Sequence, residues 1–318
     1  MSDKNVTERL LADAAGIARA VEILRGGGLV AVPTETVYGL AARADSDDAI
    51  AKIYAAKGRP SFNPLIVHIA SIEQGKALTD FPASAGAVAE QAWPGALTLV
   101  LPVKPQALIA DAVTAGLSTL AIRMPAHPVM QRLIKECDFP LAAPSANRSN
   151  AISPTTADHV LETLDGRIDA VIDGGECEKG LESSILAIRH DGSWEELRSG
   201  PFDLDALRNV VQGAPLALGT NGKDVIDAPG QLAKHYSPGK PLRLDAVEVE
   251  EGEFAIGFGP IAGDYSLSEV GNMEEAAARL YAALHEAAKS DKPRIAIASI
   301  PDHGIGKAIN DRLRRAAA

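Results

Sequence analysis

The chain has little that would staple it covalently, anchor it in a bilayer or coat a nucleic acid. Two cysteines, Cys137 and Cys177, stand among 318 residues. They are too few and too far apart for a disulfide framework or a closed zinc site, so both are expected to be reduced thiols. No apolar run approaches the ~20 residues that cross a bilayer. The segment from Met1 to Leu11 is polar and lacks a signal-peptide pattern. A soluble, cytoplasmic chain with no membrane partner is therefore expected. Aromatic residues make up only 4%, so the core must be built from Ala, Val, Leu and Ile. A net charge of −11 counts against a nucleic-acid coat protein. It leaves a local basic cleft open.

Several catalytic signatures are also missing. There is no G-x-x-x-x-G-K-[ST], and no G-x-G-x-x-G between a strand and a helix. Gly304-Ile305-Gly306-Lys307 imitates the end of a phosphate loop, but Ala308 stands where a metal-binding hydroxyl belongs. Gly26-Gly27-Gly28 precedes its strand and reads as a turn. No serine occupies a G-x-S-x-G elbow. His68, His127, His159 and His235 show no metal-ligand spacing, so no dedicated protein metal site is expected.

What is present is an alternation of helical and strand patterns in a chain longer than one typical domain. Residues 7–25 carry a helical stripe of Ile17, Ala20, Val21 and Leu24, and Leu29 to Val32 reads as a buried strand. Ser46 caps a helix to Ala56. Helices are expected again at Ser84–Ala92, Pro128–Glu136, Thr156–Leu164 and Leu204–Val211. Strands are expected at Leu65–Ile69, Leu97–Val103, Thr119–Arg123, Leu141–Ala143, Ala170–Asp173, Ser184–Ile188 and Glu195–Arg198. Several strands are separated only by loops, which predicts a twisted mixed sheet with flanking helices rather than a pure doubly wound one. From Gln212 to Pro241 the periodicity fades and prolines accumulate, the mark of a structured linker. Beyond it, strand-like Ala255–Phe258 and Ile295–Ala298 alternate with helical Glu274–Lys289 and Ile305–Arg315, a small α/β domain. The expected division is 1–211, 212–241 and 242–318.

Two polar loops stand out. Lys57-Gly58-Arg59-Pro60-Ser61-Phe62-Asn63-Pro64 sets two cations and an amide around two prolines that stiffen it, and runs into Leu65-Ile66-Val67-His68. Such a loop presents donors in a set geometry suited to an anion such as phosphate. Taken alone, its cations also read as a solvated helix end, and His68 as a core histidine. Pro144-Ser145-Ala146-Asn147-Arg148-Ser149-Asn150 offers a second dense donor set, able to cap a helix or bind phosphate. Thr34-Glu35-Thr36 follows a buried strand, where open α/β sheets place ligands. Arg123 ends an apolar strand with no partner nearby in sequence, which a substrate carboxylate would supply. Gly180 to Ser184 and Arg198 to Pro201 are further polar stops beside strands.

Together, Lys57-x-Arg59 with Ser145-x-Asn147, Pro33 to Leu40, Asn63 to His68 and Arg198-Ser199-Gly200 resemble the YrdC-like domain of the threonylcarbamoyl-adenylate synthase family. Pro229-Gly230, His235-Tyr236-Ser237-Pro238 and the Gly304 to Arg312 segment resemble the linker and C-terminal domain of its longer members. Here Gln231 to Lys234 departs from the Met-Lys-Tyr seen in some of them. The resemblance implies a YrdC-like catalytic domain, a linker over the active site and a small C-terminal Rossmann-like α/β domain. It implies formation of L-threonylcarbamoyl-AMP and pyrophosphate from L-threonine, bicarbonate and ATP, for threonylcarbamoyl-adenosine at position 37 of tRNA. The implied partners are those substrates, Mg2+ carried by ATP, and a downstream tRNA threonylcarbamoyl-transferase machinery; no organic cofactor is implied. By the same resemblance Thr36, His68, Arg123, Ala143 and Ser183 would line the threonine pocket. Arg59, Asn63, Thr119, Ser145, Ser153, Arg198 and Tyr236 would contact ATP. Lys57 and Asn147 would complete the catalytic signature, and His235 with Tyr236 would form the lid. Two rivals share the domain: a double-stranded RNA-binding module, with weak RNA affinity left open, and a hydrogenase-maturation carbamoyl transferase. The acidic balance weighs against the first, and the absence of zinc-finger and acylphosphatase segments against the second.

Overall fold

The computed structural model describes residues 6–189, 193–207, 216–218 and 235–318. The first element among the described residues is strand β1 (Glu8–Leu11), and helix α1 (Ala14–Arg25) follows it. The helix expected from residue 7 starts late because Asp13 caps it, its side chain accepting from the Gly16 N–H. Next come β2 (Val30–Val32), β3 (Gly39–Arg43), α2 (Asp47–Lys57), β4 (Ile66–His68), α3 (Ile72–Leu78), α4 (Ala83–Ala92) and β5 (Leu97–Pro102). A short α5 (Asp111–Thr114) leads to β6 (Thr119–Arg123), α6 (Pro128–Cys137), β7 (Leu141–Ala142), α7 (Ala157–Leu164), β8 (Ala170–Asp173), β9 (Ser184–Ile188) and β10 (Trp194–Arg198). The helix expected over 204–211 is a 3-10 turn at Leu204–Leu207, and its remainder lies outside the described residues.

These strands form one 11-stranded mixed sheet in the order β1-β8-β2-β3-β7-β4-β6-β5-β9-β10-β11. Its last member, β11 (Leu216–Leu218), falls inside the segment read as linker and pairs in parallel with β10. The rest of that segment up to residue 234 lies outside the described residues. One face of the sheet carries the main core, where Leu65, Val67 and Ile69 meet Ile50 and Ile53 of α2. The opposite face is covered at one end by α1 and α6, through Ile17, Leu24, Met130 and Leu133. Farther along that face, Ile66, Val100, Ala121, Ile185 and Ala187 form only a small apolar patch. Successive strand residues point to opposite faces, so Ile66 and His68 share the less covered side.

The second unit has a 4-stranded parallel sheet, β12-β15-β13-β14, built from β12 (Leu242–Arg243), β13 (Glu253–Gly257), β14 (Tyr265–Ser266) and β15 (Arg294–Ile297). Helices α8 (Met273–Lys289) and α9 (Gly306–Ala317) pack on it. Burial of α8 extends around much of its circumference because it is clasped from two sides. Ala278, Tyr281 and His285, at i, i+3 and i+7, meet the first unit. The apolar core of the second unit accordingly takes in Val37, Ile152 and Leu181 from the first.

Candidate active site

A cavity of about 580 Å³, counted to its open mouth, lies on the less covered face of the large sheet where the two units meet. Thr36, His68, Arg123, Ala143 and Ser183 line it, as do Arg59, Ser145, Arg198, His235 and Tyr236. The chain thus brings ten of the expected site residues together. Lys57, Asn63, Thr119, Asn147 and Ser153 are not on the wall, and four of these are buried behind it.

The reason is visible for each group. The Lys57 ammonium donates to the backbone carbonyls of Ser145, at 2.6 Å, and Asn147, at 2.5 Å. Ser149 N–H returns a bond to the Lys57 carbonyl at 2.8 Å. The lysine therefore ties the two donor loops to each other. Burial, and then the nearby Arg59 charge, push its amine well below the ordinary value. Asn147 donates to the Ala151 carbonyl at 2.8 Å and shapes its own loop. Asn63 is buried behind Arg59, and its carbonyl accepts from the Arg59 Nε at 3.3 Å and the Tyr54 hydroxyl at 3.1 Å. Arg59 also donates from Nη2 to the Pro64 carbonyl at 2.9 Å, so its fork is aimed before any ligand arrives. Burial lowers it to about 10, which leaves it charged at neutral pH.

At the other end of the cavity, β4 and β6 run parallel with His68 opposite Arg123. The buried Arg123 has a partner that its local sequence does not reveal: Glu35, at 2.6 Å. It also donates to the Thr36 hydroxyl at 2.9 Å and the Gly95 carbonyl at 3.0 Å. The partner expected from a substrate carboxylate is thus already present within the chain, 88 residues away. Burial pushes Glu35 up, but the Arg123 charge and hydrogen bond outweigh it and hold the acid ionised. His68 is buried, and desolvation followed by the Arg123 charge lowers it to about 3, so it is neutral. Its Nδ1 is one of the buried atoms without a partner among the described residues, along with Glu35 Oε2, Asn63 Oδ1 and His235 Nδ1. Buried polar atoms are seldom left so, and two of these residues, His68 and His235, line the cavity.

Ser183 joins the two ends. Its hydroxyl meets Thr98 Oγ1 at 2.7 Å and accepts from Arg198 Nη2 at 3.2 Å. Tyr236 adopts a left-handed φ of 64°, an uncommon state for a non-glycine residue. His235 donates its backbone N–H to Arg315 O at 3.2 Å, and Ser237 to Asn150 O at 2.9 Å, so this short stretch is stitched to both units. Glu182, in the polar stop Gly180 to Ser184 but not among the expected site residues, is also on the wall. Its carboxylate accepts from Ser153, Tyr281 and Arg312. A usable signal lay in α9, where Arg312 falls on the apolar stripe of Ala308, Ile309, Leu313 and Ala316.

Residues 22–200 match the Sua5/YciO/YrdC family, described as telomere recombination. Residues 202–318 match the C-terminal domain of threonylcarbamoyl-AMP synthase. The threonylcarbamoyl-AMP synthase of Bacillus subtilis is 42% identical over 98% of this chain and 96% of its own length. The chain belongs to the two-domain Sua5/YrdC family. The Pyrococcus abyssi threonylcarbamoyl-AMP synthase is 38% identical over 98% of the chain and 96% of its own. The crystal structure of P. abyssi Sua5 complexed with L-threonine superposes with a TM-score of 0.88 over 98% of this chain and 97% of that one, at 35% identity. E. coli YciO, at 19% identity and a TM-score of 0.55 over 62% of this chain and 97% of its own, shares the first unit's fold. Among the described residues, no helix is long and apolar enough to cross a membrane.

Proposed function

We propose that this chain makes L-threonylcarbamoyl-AMP and pyrophosphate from L-threonine, bicarbonate or carbon dioxide, and ATP. The observation that carries the reading is a single cavity with cations and hydroxyls at both ends: Arg59 and Ser145 at one, Arg123, Thr36 and neutral His68 at the other. Threonine's amine, once deprotonated, captures carbon dioxide as a carbamate. A carbamate oxygen then attacks the α-phosphorus of ATP, and pyrophosphate leaves. Such a displacement needs positioning and charge stabilisation rather than a protein nucleophile. The wall suits that demand, since it offers fixed donors and no Ser-His-Asp set.

We assign Arg59, Ser145 and Arg198 to the nucleotide, and Thr36, His68, Arg123, Ala143 and Ser183 to threonine. A neutral His68 offers hydrogen bonding without repelling the amine. Magnesium enters with the ATP phosphates, because Glu182, the carboxylate among the described wall residues, already accepts from three donors. His235 and Tyr236 act as a lid that keeps water from the labile carbamate and adenylate. The product is destined for a tRNA threonylcarbamoyl-transferase in the cytoplasm.

The test is pyrophosphate release from ATP with threonine and bicarbonate omitted in turn. Release is expected only when both are present. Release that ignores either co-substrate overturns the assignment.

A further inference from the structure

The Glu182 carboxylate sits on the wall of a cavity built for anionic groups, where an uncompensated negative charge would oppose phosphate binding. Much of its compensation comes from the second unit, beside Arg198 and Ser153 of the first. Tyr281 of α8 donates its hydroxyl to Glu182 Oε2 at 2.8 Å, and Arg312 of α9 donates Nε to the same oxygen at 3.2 Å. Both side chains are fully buried. The other carboxylate oxygen takes the Ser153 hydroxyl at 2.5 Å. Glu182 also precedes Ser183, whose carbonyl accepts from Arg198 Nε at 3.0 Å. The contacts reach the wall a second time through Tyr236, whose ring lies 5.5 Å from that of Tyr281 and 5.9 Å from the Arg312 guanidinium. Burial pushes Glu182 up, yet the charges of Arg312 and Arg198 hold it at about 2, so it stays an acceptor throughout the working pH range.

We infer that Tyr281 and Arg312 are positioning residues for the reaction: from the C-terminal unit they fix the Glu182 carboxylate on the cavity wall, so that a productive site exists only when the units are docked. This rests on the synthase reading of the cavity. A C-terminal unit that merely shielded the cleft would need no buried charge reaching into its wall. Burying Arg312 for that purpose would carry a desolvation cost without a gain.

The test uses the full chain and four variants: Tyr281→Phe, Glu182→Gln, the pair combined, and Lys289→Ala. Lys289 pairs with Glu162 at 2.6 Å across the same interface, is not among the donors to the Glu182 carboxylate, and serves as a docking control. Tyr281→Phe removes one hydroxyl and should keep the fold. It is expected to lower kcat/KM about tenfold, the scale of a lost hydrogen bond to a charged group. The double variant should be no slower than Glu182→Gln alone, because the tyrosine acts through that carboxylate. Lys289→Ala should keep wild-type kinetics. Independent, multiplying effects of Tyr281→Phe and Glu182→Gln, or an equal loss in Lys289→Ala, overturn the proposal. Calorimetric affinities for ATP and L-threonine give the same comparison without turnover. A chain that binds both but releases no pyrophosphate sinks the synthase reading, and the affinities of the four variants then decide the coupling.

Discussion

Arg123 shows what a residue-level argument gains from tertiary structure. An arginine at the end of an apolar strand must be paired, and here Glu35, 88 residues away, does the pairing at 2.6 Å. Both partners are buried, with 4% and 7% of their side chains exposed. Removing one member of such a pair strands the other, which typically costs about 3–5 kcal/mol. Arg123→Ala is therefore expected to lower the thermal midpoint markedly as well as raise the threonine requirement. The double variant Arg123→Ala with Glu35→Gln should recover much of the stability while the threonine defect persists. If the double variant is no more stable than the single, the ion pair is not what holds this end of the cavity. Arg59→Ala should instead act on ATP: its fork rests on neutral carbonyls, so its loss strands no opposite charge. A rise in KM for threonine with ATP unaffected would mean that the two arginines have been assigned the wrong ends.

At the scale of elements, the join between the units depends on how closely the loop before β9 approaches α8. Gly180 has a φ of 66°, and a Cβ placed there would lie 2.2 Å from the Ala278 carbonyl oxygen and 2.5 Å from its Cα. No side chain fits, and an alanine would also pay about 1–2 kcal/mol for the left-handed backbone. Gly180→Ala should push α8 away, and with it Tyr281, from Glu182. The expected signs are a lower thermal midpoint, faster proteolysis between the units and reduced pyrophosphate release. Gly116→Ala is the matched control, with a φ of 83° and open space around it. A Gly180 variant no worse than the Gly116 variant would show that this close approach is not what docks the units. Element types were legible in sequence where apolar periodicity was strong. Thr119–Arg123, Ala170–Asp173 and Ser184–Ile188 are strands with the expected bounds. Gly39–Arg43 escaped notice because Gly-Leu-Ala-Ala-Arg has neither alternation nor β-branched residues, and becomes a strand by pairing with β2 and β7. Donor loops were likewise readable from composition, whereas the pairings of Glu35 with Arg123 and of Glu182 with Tyr281 and Arg312 join residues 88 to 130 apart, which local patterning does not connect.

The whole molecule carries an acid sensitivity that no single element has. His68 and His235 are buried and lowered to about 3, and His159 to about 4, in each case first by desolvation. Their ordinary value is 6.5, so between pH 6.5 and about 3 the unfolded chain binds protons that the folded chain does not. Stability then rises with pH across that window, and is fully expressed above it. Glu182, lowered from 4.5 to about 2, adds a loss of the same sign at lower pH. His159 stacks on His285 across the join, ring centroids 3.8 Å apart. Burial lowers His285 too, although Glu162 at 2.8 Å offsets part of that shift. Acidification from pH 7 to 5 should cost on the order of 1–2 kcal/mol for each histidine that must stay neutral in the fold. Because His159 and His235 lie where the units meet, the join should weaken with the fold as a whole. Thermal midpoints at pH 7.5, 6 and 5 are expected to fall steadily. His159→Asn, which removes one titrating group, should flatten the trend. A midpoint that is level across that range, or a slope that His159→Asn leaves unchanged, would show that these rings do not set the acid limit of the folded chain.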